Sequence, residues 1–138
     1  MINEDDRKAI VLAKIRDARE MLAVAAINYQ YEFYNSAVNR LYYACFHIAS
    51  AALISIHIDD VKRHEGVRSM FSLHFIKGGR ISAKWSSFYA TMFSSRSNAD
   101  YDNFKIYTKE QIDEMRPLVE EFVTMLIDYI RKEMNIEA

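Results

Sequence analysis

SAVNRLYYACFHIASAALISIHI, residues 36–58, is the stretch around which the chain is organised. From Leu41 to Ile58 it contains no Asp, Glu, Lys or Arg, and no Gly or Pro interrupts it. An unbroken run of that length favours an α-helix. Its apolar residues go nearly all the way round, which predicts burial on several sides. One stripe differs. At about 100° per residue, Ser36, Asn39, Arg40, Tyr43, His47 and Ser50 fall within about a third of the circumference. A surrounded helix with one polar seam is a central element that must satisfy hydrogen bonds along that seam. The uncharged run also just meets the length of a membrane span. His47, Ser50, Ser55, His57 and four alanines, with amphipathic segments on both sides, favour a buried bundle helix instead.

Working outward, the 138 residues fit one domain, residues 1–138, long enough for a core without disulfides or metal staples. Apolar residues make up 51% and aromatics 13%, which excludes a disordered chain. Three Gly and one Pro leave little material for the turns of an all-β fold, so the expected class is all-α. A formal net charge of -1 offers no global attraction to nucleic acid, so RNA binding would need a local patch, and no DNA binding is expected. Cys45 is alone, which rules out an internal disulfide and fits a small core residue in a reducing cytoplasm. The acidic opening MINEDDRK is the opposite of a secretory signal.

The first helix is expected to open at Asn3, with Asp6 three residues on, and to turn Val11, Ile15, Ala18, Leu22, Ala25 and Tyr29 inward. Lys14, Asp17 and Glu20 fall off that stripe, toward solvent. Residues 30–35 form a short turn, which makes the next helix antiparallel. After the central helix, residues 57–63 read as a loop, with Asp59 or Asp60 as cap for a third helix over 64–77. Gly78-Gly79 ends it. Ile81, Trp85, Phe88 and Met92 then step by +4, +3, +4, and the next position on that stripe is Arg96. An arginine there must be paired, lie at the end of the core, or face a cleft. Residues 97–107, rich in Asn, Asp and aromatics, read as a connector. Thr108 and Gln111 have capping-box spacing for the last helix, in which Pro117 predicts a kink or a restart. The expected architecture is an up-and-down four-helix bundle with a broken third helix, about five helices in all.

Chemistry-bearing motifs are sparse. The four histidines offer no His-x-x-x-His or Glu-x-x-His pair, so no metal site is expected. Gly78-Gly79 lacks the Lys-Ser/Thr of a phosphate loop, and no cofactor is implied. What remains is the seam of the central helix with Arg96, Asp100 and Tyr101. Arg40 and Arg96 have Asp100 and Asp102 as candidate ion-pair partners, in an arrangement that is either structural or functional.

The segment around Ala37, Arg40, Tyr42, Tyr43 and Ala44 resembles the signature second helix of HEPN domains, small helical bundles of prokaryotes. His64-x-Gly66-Val67, followed by Phe71 and Phe75, resembles a second block of one branch, and Arg96-x-x-Ala99-Asp100-Tyr101 a third. The resemblance implies an up-and-down bundle that forms homodimers. It also implies one of two roles: a metal-independent endoribonuclease toxin, or the partner subunit of a minimal nucleotidyltransferase. The family's ribonucleases pair an Arg with a His that follows after four to six intervening residues. Arg96 matches that arginine, but Tyr101, Asp102 and Asn103 stand where the histidine would be. A phenol with pKa near 10 exchanges a proton with a ribose hydroxyl poorly.

The expectation is therefore a cytoplasmic HEPN-type homodimer acting as a binding subunit, with a minimal nucleotidyltransferase as partner and RNA or a nucleotide as ligand. The expected binding cleft is Arg40, Tyr43, His47, Arg96 and Asp100. In the rival ribonuclease, Arg96 and Tyr101 would be catalytic. A third expectation is a structural bundle whose seam only sets helix register.

Overall fold

A computed structural model describes residues 2–101 and 104–138, apart from the side chain of Tyr101. Five α-helices follow one another: α1 Glu4–Gln30, α2 Tyr34–Ser55, α3 His64–Phe71, α4 Lys84–Tyr101 and α5 Lys109–Met134. They form an all-α bundle of the expected kind, without a strand among the described residues. α2 is the hub and packs against all four other helices, most extensively against α1. The alanines that dilute its hydrophobicity explain how. Ala37, Ala44, Ala49, Ala51 and Ala52 are fully buried, and side chains that short let neighbouring helix axes approach closely.

Local signals set most boundaries. Asn3 caps α1 by accepting from the Asp6 amide at 2.8 Å. Thr108 and Gln111 complete a capping box on α5. α3 runs straight into a π-helical segment, Ser72–Lys77, so the helical stretch ends at the expected double glycine. Gly78 is required there because an added Cβ would lie 2.3 Å from the His74 carbonyl oxygen, and Gly79 holds a φ of +74°.

The structure changes several expectations. α4 continues to Tyr101, so Arg96 and Asp100 lie on one helical face rather than in a connector. Neither Asp59 nor Asp60 caps α3. Its N-cap is Arg63, without a side-chain hydrogen bond, because the Asp59 carboxylate is taken by Arg7 of α1. Of the kink or restart expected at Pro117, the restart does not occur, since α5 runs on through the proline. Val119, Phe122, Leu126 and Ile130 continue its buried stripe beyond the proline, and their burial outweighs the lost backbone bond. Lys14 and Asp17 are also only partly exposed.

An aromatic cluster joins α3, its π-helical continuation, α4 and α5. Phe71 stacks on Phe75 at 4.9 Å, and Phe122 meets Phe71, Trp85, Phe88 and Tyr89 within 6 Å. Asn35, at the start of α2, donates to the Lys105 carbonyl and accepts from the Tyr107 amide, each at 2.9 Å. Those two bonds tie the α4–α5 connector to the α1–α2 turn. No helix among the described residues is long and apolar enough to cross a membrane.

Candidate functional site

The seam of α2 faces α4 and the start of α3, and the polar residues meet there. Arg96 extends the inward stripe of α4 and is 18% exposed. Its Nε pairs with Asp100 Oδ2 at 3.1 Å, one helical turn on. Its Nη2 donates to the Tyr43 hydroxyl at 3.3 Å. The guanidinium carbon lies 5.9 Å from the Tyr42 ring centre and 5.8 Å from that of Tyr43. Among the described residues, the misplaced-looking arginine is thus met by a carboxylate, a phenol and two aromatic rings.

Arg40 does not join that ion pair. Its guanidinium lies 5.4 Å from the Tyr43 ring centre and reaches Met21 Sδ on α1 at 3.6 Å. The seam residue that engages Asp100 is Asn39, whose Nδ2 donates to both carboxylate oxygens at 2.8 and 2.9 Å. The reason is angular: Asn39 is turned about 100° from Arg40 around the helix, so only one of the two faces α4. Arg40, Tyr43, Asn39 and Asp100 still border one open cavity of about 430 Å³. His47 opens onto a different one, of about 530 Å³, beside Lys14, Ser50 and Val61. It is joined to the first cleft only by ring contact with Tyr43 at 6.1 Å. Burial lowers the His47 pKa, with nearby Asp17 opposing and Lys14, His64 and Arg40 reinforcing the shift. The Tyr101 side chain, Asp102 and Asn103 lie outside the described residues.

The site residue that the Arg96 spacing does not point to is His64. It opens α3, and its Nδ1 lies 2.8 Å from the Tyr42 hydroxyl. Its ring lies 4.2 Å from Phe46 and 5.5 Å from Tyr43, centre to centre. An imidazole therefore stands beside Arg96 after all, delivered by α3 rather than by α4. Burial first, and the Arg96 charge second, lower its pKa, so it is neutral at pH 7. Burial also raises the Tyr42 pKa well above 10, so that hydroxyl keeps its proton. The Tyr42 hydroxyl and His64 Nδ1 share one hydrogen bond, and which of them donates is set by the ring tautomer. The only sequence signal for His64 is its place in the His-x-Gly-Val block. Among the described residues, no three His, Cys, Asp or Glu side chains are placed to hold a metal ion.

A cluster of Arg96, Asp100, Asn39, Tyr43 and His64 on a five-helix bundle defines the class of protein. The chain matches the HEPN domain family over residues 11–132 and belongs to it. Among its relatives is the Methanocaldococcus jannaschii protein named "Putative toxin MJ0605", 33% identical, with 98% of this chain and 96% of the relative covered. A UPF0332 protein of Thermotoga maritima is 32% identical over 78% of this chain and 81% of its own. A second Methanocaldococcus jannaschii protein, "Putative toxin MJ0142", is 32% identical over 72% of this chain and 67% of its own.

Proposed function

We propose that this HEPN protein is the binding subunit of a toxin–antitoxin-like pair. In this reading it is a single unit over residues 1–138, acts in the cytoplasm as a homodimer, and has a minimal nucleotidyltransferase as partner. Its cleft, formed by Arg40, Tyr43, Arg96 and Asp100 with His64 at the edge, takes RNA or a nucleotide. The observation that carries the reading is the state of the cleft's proton-transfer groups. Cleavage of RNA by its own 2′-hydroxyl needs a base, an acid for the leaving oxygen, and positive charge at the phosphate. Arg96 supplies only charge, since guanidinium keeps its proton. The Tyr42 hydroxyl engages His64 Nδ1 at 2.8 Å, so that nitrogen is not free to act as a base. Such a cleft binds a phosphate group without a base to activate the nucleophile.

The test incubates the protein and Arg96→Ala with structured and unstructured RNA in the presence of a chelator. The expected result is no cleavage by either, with RNA affinity at least roughly ten-fold weaker in the variant. Cleavage by the wild type that is lost in Arg96→Ala overturns the binding reading in favour of the ribonuclease. One observation favours that second reading: His64 stands next to Arg96, and a rotated Tyr42 hydroxyl would free Nδ1 and move the proton between the ring nitrogens. A large loss of stability in Arg96→Ala without any change in binding would point instead to a purely structural seam.

Homodimerisation is a separate expectation. Within one chain α2 is already covered by its four neighbours, so an uncovered central helix no longer argues for it. Family membership does, and exposed apolar side chains are available at one end of the bundle, where Tyr31, Phe33 and Ile106 are 64%, 63% and 78% exposed. Light scattering at micromolar concentration should return close to twice the 16.2 kDa chain mass. A monomer at all concentrations would remove the dimer from the reading.

A further inference from the structure

The overall charge of -1 hides an asymmetry. Between residues 61 and 99 the chain carries seven Lys and Arg but a single carboxylate, Glu65, so the remainder is strongly acidic. The fold turns part of this segment into a groove. α3, its π-helical continuation and the first half of α4 enclose an open cavity of about 320 Å³ bordered by Arg68, Ser69, Ser72, Lys77 and Ser86. Among the described residues, no carboxylate lines it. Arg80 and Lys84, from the same basic segment, turn toward α5, where Arg80 donates to the Tyr129 hydroxyl and Lys84 pairs with Glu121. Arg68 and Lys77 have no acidic partner among the described residues. Two unneutralised cations and three hydroxyls converging on one groove make a site for phosphate oxygens.

Side-chain contacts link the groove to Arg96 of the cleft. Arg68 lies one helical turn beyond His64 on α3, and its guanidinium carbon is 4.9 Å from the Phe93 ring centre. Phe93 packs on Tyr42 at 6.1 Å, and Arg96 lies over that same Tyr42 ring. Arg68 thus borders the groove together with Lys77 and is linked to Arg96 through Phe93 and Tyr42. We propose that the α3–α4 groove is a phosphate-backbone subsite for single-stranded RNA, with Arg68 and Lys77 as its cations and Ser69, Ser72 and Ser86 as hydroxyl donors. The proposal rests on the RNA-binding reading of the cleft and deepens it. An acidic protein partner fits the groove less well. Protein interfaces anchor on large apolar or aromatic side chains, and Leu73 is the groove's one exposed large hydrophobic among the described residues.

The experiment measures fluorescence anisotropy of a labelled oligouridylate of about twelve nucleotides against the full-length protein over a range of salt concentrations. Each phosphate contact with a single strand contributes roughly -0.7 to the slope of log K against log salt. Arg68→Gln with Lys77→Gln should flatten that slope by about 1.4 and weaken binding roughly ten-fold or more at low salt. Lys8→Gln with Lys132→Gln removes the same charge from α1 and α5 and should leave the slope unchanged, with circular dichroism confirming that both doubles fold. A wild-type slope in the Arg68/Lys77 double, or equal flattening in the control, overturns the subsite while the cleft reading stands. Absence of RNA binding by the wild type overturns both. An Arg68/Lys77 double that binds RNA normally but no longer co-purifies with a nucleotidyltransferase partner would overturn the subsite and assign the groove to an acidic protein surface.

Discussion

Tyr42→Ala should cost about 4 kcal/mol and leave the protein at the edge of folding. Tyr42 is fully buried and is the side chain through which the core reaches the cleft. Its ring meets Tyr43, Phe46, Tyr89 and Phe93 between 5.5 and 6.4 Å, and its hydroxyl holds His64. Truncating a buried aromatic removes its transfer free energy and leaves a cavity that helices anchored on both sides can only partly close, about 3–5 kcal/mol in total. The lost bond to His64 adds to this, because Nδ1 stays in a half-buried place without its partner. Urea unfolding followed by circular dichroism measures the loss. Tyr42→Phe separates the two contributions: the ring stays, the hydroxyl goes, and the expected loss is about 1 kcal/mol. If Tyr42→Ala lost no more than Tyr42→Phe, the ring would not be the core element argued for here.

Arg7→Met is expected to cost about 2–3 kcal/mol, or roughly 10 °C in Tm. Arg7 is 2% exposed and joins three elements. Nη1 donates to the Ile54 carbonyl at the end of α2 at 3.0 Å, and Nη1 and Nη2 form a two-pronged pair with Asp59 in the α2–α3 loop. Glu4 lies in ion-pair range of Nε at 3.4 Å and also lies 3.3 Å from His57 Nε2. Methionine fills much of the volume, so the loss comes from the unpaired Asp59 and the freed α2 terminus rather than from a cavity. The figure lies below that for a fully buried pair because the Asp59 side chain is 26% exposed and rehydrates. The pair also sets an acid dependence. Its hydrogen bond to Arg7 pulls the Asp59 pKa below the usual carboxylate value, with burial opposing and Coulomb attraction assisting. A carboxylate so depressed contributes stability that is present above its unfolded pKa of about 3.9 and is lost as pH falls through the folded value. Wild type and Arg7→Met should therefore differ most at neutral pH and converge below roughly pH 3. Parallel stability curves down to that pH would mean that Asp59 is not the partner that matters.

How much of this was legible beforehand depended on the range of the interaction. The helices, the Asn3 cap, the Thr108–Gln111 box and the stop at Gly78-Gly79 follow from residues three or four apart, and a chain expresses those relations wherever it folds. The hub role of residues 36–58 was likewise readable, because a helix apolar nearly all round has nowhere to go but the middle. So was the demand made by Arg96, since a charge on an apolar stripe needs a partner. Which partner answered was not readable. Asn39 rather than Arg40 meets Asp100, and the choice turns on about 100° of rotation of α2 against α4. His64 arrives near Arg96 through the packing of α3 on α2, and Arg7 finds Asp59 52 residues away. The basic groove exists because Arg80 and Lys84 turn to α5 while Arg68 and Lys77 do not. Local order is a property of spacing along the chain, so the sequence determined the elements and the residue in want of a partner. Side chains on different helices meet only after the axes have settled against one another, and that packing, decided by the whole core at once, determined the site.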